Sequence, residues 1–365
     1  MSLPNSQFSN LLTVSKQVIR DCALNNGAIV AANSFMPYYP KDAANYLYVW
    51  PRDAAFICMA AEALGINDIQ QPFFTWLIER AEGWNTTGLF YEKYYLNGRK
   101  ALSRFQPDQA GIVVFMVGNY IKKNLRLKAK YEHLITHTAL GLTKIWNKNS
   151  FGVPTNDLWE GRIAYPDLEE NFSYSTAACV AGLRVANQLF PTADFENTCN
   201  EMEYALLQSA KVNGYFCRSF GKLIDQGIDA SLLGLIWPYE IISPTSDLTK
   251  NTIQRILQLE NAYGLYRYEH DEYDGWMLNT GHRNKGAGYW PLLNFWLAIV
   301  LSKMGKKDDA NKYFQKVLQD LQSYYIPEQI FSNNIQVSVT PLCWSHAMFV
   351  LASAELGLLG SGLDI

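Results

Sequence analysis

The chain has 365 residues, 48% hydrophobic and 14% aromatic, enough to bury one large core or two ordinary ones. Its 31 Lys and Arg against 34 Asp and Glu give a net charge of -3, and no basic block would follow a phosphate backbone, so nucleic acid is not an expected partner. The amino-terminal MSLPNSQFSN is polar and carries neither a signal peptide nor a run long enough to span a bilayer, which predicts a cytoplasmic protein with no membrane association.

Residues 11–26 place Leu11, Leu12, Val14, Val18, Ile19 and Cys22 on one helical face and Lys16, Arg20 and Asp21 on the other, and stop at Gly27. This is an amphipathic helix. An aromatic loop follows, and then residues 50–64, WPRDAAFICMAAEAL, are apolar on nearly every side, as a helix buried all round must be. The alternation continues down the chain. Amphipathic helices are expected over 69–82, 131–148, 193–210, 248–261 and 308–324, and apolar ones over 108–120, 172–186, 229–236, 289–301 and 343–356. No strand-period run is comparably strong, although short hairpins are expected near 214–223 and in the long loops.

Six shielding helices alternating with six buried ones predict an all-α toroid of six helical hairpins, the buried helices forming its inner ring. No Pro-, Gly- or Ser-rich linker interrupts the pattern, so residues 1–365 are expected to form one domain. The loops leading into the inner helices read YLYVWPRD, RFQPD, DLWEGR, DQGID, RYEHDEYDGW and IPEQ, and a ring of this kind gathers them at one end. Aromatic and carboxylate side chains therefore converge there.

In DLWEGR, Glu160 follows Trp159, whose apolar face is expected to desolvate the carboxyl, raise its pKa and suit it to hold a proton as a general acid. The second carboxylate is Glu328 in IPEQI, remote in sequence but in the loop feeding the last inner helix. Two carboxylates across a pocket can protonate a leaving oxygen and activate a water, as in glycoside hydrolysis. Arg52 and Asp53 offer a charged fork and an acceptor for vicinal sugar hydroxyls.

YLYVWPRDAA, DLWEGR, RYEHDEY, YWPLLNFWLA, PEQ and PLCWSHA follow one another in the order and spacing of glycoside hydrolase family 15, and the chain resembles these glucoamylase-like enzymes from about Tyr46 onward. The resemblance implies an (α/α)6 barrel and inverting exo-hydrolysis that releases glucose from the nonreducing end of α-linked glucosides. It casts Glu160 as general acid and Glu328 as general base. Tyr46 resembles the tyrosine under the nonreducing glucose, and Arg52 and Asp53 the pair that binds its hydroxyls. Trp50, Trp159, Arg267 and Trp290 also fall on pocket positions. The chain departs from the family pattern at Gly161, where a second acid is frequent, and at Asn294, where Thr is common; the glycine leaves the leaving-group side, and so the preferred linkage, open. The N-terminal β-sandwich that often precedes the barrel is not expected within these residues. A trehalase of the same family and a non-catalytic glucan-binding or regulatory relative remain open beside the glucoamylase-like reading.

No cofactor or metal is expected. His133 and His137 have i, i+4 spacing but no third ligand nearby in sequence, and Gly281, Gly286 and Gly288 are too loosely spaced for a phosphate loop and read as a turn. His346 reads either as a packed core histidine or as a group behind the pocket. Tyr91, Tyr94 and Tyr95 read equally as core or as a sugar-stacking rim. The six scattered cysteines are expected to be buried, reduced thiols, and the sequons at Asn85 and Asn171 carry no information without secretion. The oligomeric state is left open.

Overall fold

The architecture is a closed ring, visible in which helices touch. The structure, a computed structural model, describes residues 5–261, 264–275, 287–332 and 338–359. Helices α1 (Asn5–Cys22), α2 (Pro51–Ala63), α3 (Gln70–Arg80), the one-turn α4 (Trp84–Thr87), α5 (Pro107–Lys123), α6 (Lys128–Ile145), α7 (Ser173–Leu189) and α8 (Ala193–Asn213) come first. A 3₁₀ helix (Ala230–Leu235), α9 (Asp247–Ile256), α10 (Pro291–Lys303), α11 (Lys307–Asp320) and α12 (Cys343–Glu355) follow. Inner elements touch in the cycle α2, α5, α7, 3₁₀ helix, α10, α12 and back to α2, while α1, α3, α6, α8, α9 and α11 lie outside them. This is the expected all-α (α/α)6 toroid.

Burial follows the sequence pattern. Every residue of α10 from Pro291 to Leu301 is buried, whereas α11 buries only Ala310, Tyr313, Phe314, Val317 and Leu318. Inner helices can approach closely where side chains vanish: a Cβ on Gly111 of α5 would stand 2.5 Å from the Ala178 carbonyl of α7, and one on Gly182 of α7 would stand 2.5 Å from the Gly111 oxygen. Proline opens α2, α5 and α10, each after an extended residue, Trp50, Gln106 or Trp290. Its missing N–H costs nothing at a first helical position, and its fixed φ sets a sharp start, so the preceding loops turn abruptly into the ring.

Two expectations need correction. The inner element expected as a helix over 229–236 is a 3₁₀ helix, short enough that periodicity could not distinguish the two; a Cβ on its Gly234 would meet the Tyr174 ring at 2.7 Å, so the segment is wedged tightly against α7. The hairpin expected over 214–223 is not local: Ser219–Phe220 pairs antiparallel with Asn171–Phe172, just before α7. Local hairpins do occur at Trp146–Asn147 with Ser150–Phe151 and at Thr155–Asn156 with Ile163–Ala164.

Candidate active site

The first turns of the inner helices and the loops before them enclose a pocket of about 510 Å³. Tyr46, Trp50, Arg52, Asp53, Trp159, Glu160, Arg267, Trp290 and Glu328, the whole set proposed from the sequence, line it. Below it the barrel axis is filled: Phe56 of α2 stacks on Trp344 of α12 with centroids 5.1 Å apart and meets Trp296 of α10 edge-on at 5.5 Å. A filled axis makes the site a dead end rather than a groove.

Arg52 and Asp53 sit in the first turn of α2, both buried. Arg52 Nη1 donates to Asp108 Oδ2 at 2.7 Å and to Gln106 Oε1 at 3.0 Å, both from the first turn of α5 or its cap. A buried cation needs such an anchor. Asp53 Oδ1 lies 3.8 Å from Arg52 Nε, yet burial outweighs that attraction and pushes its carboxyl up to about 7.

Glu160 stands at the tip of the loop between Thr155–Asn156 and Ile163–Ala164, at φ +62°. A left-handed glutamate is uncommon and must be held there. Asp157 does the holding, since its Oδ1 accepts the amides of Gly161 at 2.8 Å and Arg162 at 3.0 Å. The raised Glu160 pKa expected from Trp159 is not found. Trp159 turns away and donates its indole N–H to Asp229 Oδ1 at 2.9 Å. Instead Trp50 Nε1 donates to Glu160 Oε1 at 2.6 Å and Lys93 Nζ lies 3.4 Å from Oε2. Burial alone would raise Glu160, but Lys93, the neighbouring Glu92 carboxyl and the Trp50 indole together hold it below the ordinary glutamate range.

Glu328 lines the same pocket from the loop before α12. Its Oε1 accepts the Tyr46 hydroxyl at 2.9 Å, and Tyr46 in turn meets the Tyr273 hydroxyl at 2.7 Å. Burial pushes Glu328 up to about 7, with Tyr46 and the positive Arg267 opposing the shift. His346 settles its two readings here as a group behind the pocket. Its Nε2 accepts the Ile326 amide at 2.9 Å and its Nδ1 pairs with Ser15 Oγ at 2.8 Å, so it ties the Glu328 loop to α1 and α12. Burial lowers its pKa to about 3, which leaves the ring neutral and able to accept.

Arg267 is held bidentately by Asp271 at 2.8 and 2.7 Å. Its guanidinium lies 5.6 Å from the Trp159 ring, 4.7 Å from Tyr273 and 4.8 Å from Trp290. Four buried polar atoms of pocket residues make no hydrogen bond among the described residues: Arg52 Nε, Trp290 Nε1, Trp344 Nε1 and Glu328 Oε2. A ligand rich in hydroxyls can satisfy donors and acceptors alike.

Sequence reasoning missed Glu92 and Lys93, both in the YEKYY run whose tyrosines alone drew notice. Of those, Tyr94 is buried in the core, Tyr95 is exposed, and Tyr91 is half-buried beneath Lys100. His133 and His137 stack on each other at 5.1 Å against Trp84, and among the described residues no group of three His, Cys, Asp or Glu is arranged to hold a metal. Gly281 and Gly286 lie outside the described residues. Gly288 donates its amide to Gln329 Oε1 at 2.8 Å. All six cysteines are buried free thiols, Asn171 is buried, and among the described residues no helix is long and apolar enough to cross a membrane.

The chain is similar to known proteins over most of its length. An uncharacterized glycosyl hydrolase of Methanocaldococcus jannaschii is 26% identical over 94% of this chain, which spans 56% of that relative's length. The isomaltose glucohydrolase of Kribbella flavida is 19% identical over 90% of this chain and 89% of its own. A wild-type glycosidase structure superposes with a TM-score of 0.79 at 19% identity, covering 98% of this chain and 100% of that one, and glucoamylase structures share the fold. The model for Glycosyl hydrolases family 15 matches residues 79–354, three quarters of the chain, which therefore belongs to that family.

Proposed function

We propose that this chain is an inverting, exo-acting hydrolase that releases glucose from the nonreducing end of short α-linked glucosides, with Glu160 as general acid and Glu328 as general base. The observation that carries this reading is the placement of the two glutamates in one dead-end pocket with Tyr46, Arg52 and Asp53. Glu160 gives a proton to the glycosidic oxygen as the C–O bond breaks; Glu328 takes a proton from the water that bonds to the anomeric carbon from the opposite face. Arg52 and Asp53 bind hydroxyls of the terminal glucose, Tyr46, Trp50 and Trp290 pack against it, and Arg267 and Trp159 wall the leaving-group side. The filled barrel axis favours attack on a chain end over attack in mid-chain.

Gly161, with no side chain beside the acid, and the likeness to an isomaltose glucohydrolase favour short substrates and linkages other than α-1,4 over long α-1,4 glucans. Six buried unpaired thiols suit a reducing compartment, in keeping with a cytoplasmic single-barrel enzyme. Glu160→Gln and Glu328→Gln each should lower hydrolysis by roughly a hundredfold or more, since an amide neither gives nor takes the proton. Proton NMR of the first-formed sugar should show β-glucose. Initial α-glucose, or full activity in either variant, overturns the reading, and glucose release from isomaltose, maltose, trehalose, dextran and soluble starch fixes the linkage.

A further inference from the structure

A general acid must carry a proton when the substrate arrives, yet the surroundings of Glu160 favour its anion. Trp50 Nε1 donates to it at 2.6 Å, and Lys93 Nζ is 3.4 Å away. The same Lys93 nitrogen lies 3.4 Å from Oε1 of Glu92, a carboxyl with no solvent exposure. Arg104 Nη1 approaches the other Glu92 oxygen at only 3.8 Å, and no donor among the described residues completes a hydrogen bond to either oxygen. Gln109 occupies the Glu92 backbone carbonyl, and Arg52 and Asp53 lie beyond Glu160 on α2. Two carboxyls crowded on one lysine cannot both ionise at low cost, and a proton between them relieves both the repulsion and the unmatched oxygens.

We propose that Glu92 is the proton store of Glu160: the two side chains share one proton, which rests on Glu92 in the empty pocket and passes to Glu160 as the leaving oxygen takes it up. The proposal rests on Glu160 being the general acid. Burial and the neighbouring Glu160 push Glu92 up to about 7, so the pair keeps this proton into the neutral range. In each turnover the pair loses one proton to the departing alcohol, Glu328 gains one from water, Glu328 releases it to solvent and the pair takes one back. Glu160, on the pocket side, is the route for that reloading because Glu92 has no exposed surface. Glu92 thus acts through Glu160 as a positioning residue and does not touch the sugar.

The test is Glu92→Gln, assayed on isomaltose and on α-glucosyl fluoride, whose leaving group needs no protonation. At neutral pH the variant should lose roughly tenfold to a hundredfold on the disaccharide. Fluoride hydrolysis should be retained, and this also shows that the variant is folded. The descending high-pH limb of kcat on the disaccharide should move down by about one unit or more, since the amide N–H stabilises ionised Glu160. Infrared difference spectra should show one protonated-carboxyl band fewer than wild type below neutrality. An unchanged pH profile with a retained band, or an equal loss on both substrates, overturns the role of Glu92. Full disaccharide activity in Glu160→Gln instead overturns the assignment of the acid, a separate failure.

Discussion

A phenol that donates to a buried carboxylate stabilises its charged form, and Tyr46 does this for Glu328. A base must be ionised, so activity should rise with pH through about 7 on the Glu328 side. It should fall above about 7 as the Glu92–Glu160 pair loses its proton. The profile of kcat/KM is therefore expected to be a narrow bell near neutrality. Tyr46→Phe removes a hydrogen bond to a charge, worth about 1.5–3 kcal/mol or roughly one to two pKa units. Its ascending limb should move up by that amount while the descending limb stays; a profile that only loses height contradicts the role. At the same scale, Gly161 is free of the left-handed strain that its neighbour Glu160 bears. A Cβ there would meet only Tyr268 Oη at 3.6 Å and Asp157 Oδ2 at 4.0 Å, ordinary contacts. Gly161→Ala should thus keep activity within about twofold, since the added methyl makes only ordinary contacts and Gly161 itself bears no positive φ. Gly161→Glu should raise the kcat/KM ratio of maltose to isomaltose by about fivefold, the worth of one added hydrogen bond.

At the scale of the element, the loop between Thr155–Asn156 and Ile163–Ala164 is a two-point mount for one side chain. Its only regular pairing is four residues long in total, so Asp157 supplies what a longer ladder would. Asp157→Ala removes the acceptor of two amides and frees Glu160 from its positive φ. A reacting group misplaced by about 1 Å loses on the order of a hundredfold in rate, and kcat should fall accordingly with KM little changed. Asp157→Asn keeps an acceptor oxygen and should recover most of the loss. Equal kcat values for the two variants argue that the loop holds Glu160 without Asp157.

At the scale of the molecule, the ring was legible because inner and outer helices meet different solvents and so carry different periodicities. Residues 289–301 read as buried all round and 308–324 as one-faced, and α10 and α11 lie there. Once the inner lead-in loops share an end, the convergence of Glu160 with Glu328 and Arg52 follows. What periodicity could not carry was local. Eight residues at 229–236 cover too few turns to tell α from 3₁₀ spacing, and the partner of Ser219–Phe220 lies far back in the chain. Glu92 escaped for another reason: its meaning comes from a neighbour 68 residues away, and nothing in YEKYY says that Lys93 will bridge it to Glu160. Trp159 misled because adjacency in a chain does not fix where an indole points.

The pocket and the wall behind it gather Asp53, Glu92 and Glu328, all buried carboxyls pushed up to about 7, so the molecule gives up stability to hold them. The sign follows from proton binding. A carboxyl whose folded pKa exceeds its unfolded value binds more protons when folded, so its contribution to stability is complete at low pH and is lost as pH rises from about 4.5 through about 7. Glu328→Gln resembles the protonated side chain at every pH and escapes that loss. Near pH 5 the variant and wild type should therefore unfold at similar temperatures. By pH 8 the variant should be the more stable by up to about 3 kcal/mol, an upper figure set by a shift of about 2.5 units at 1.36 kcal/mol each. Thermal unfolding followed by circular dichroism across that range checks it. A Tm difference that does not grow with pH would show that Glu328 ionises in the fold as easily as in the unfolded chain, and the neutral ascending limb expected for catalysis would then have to come from Asp53.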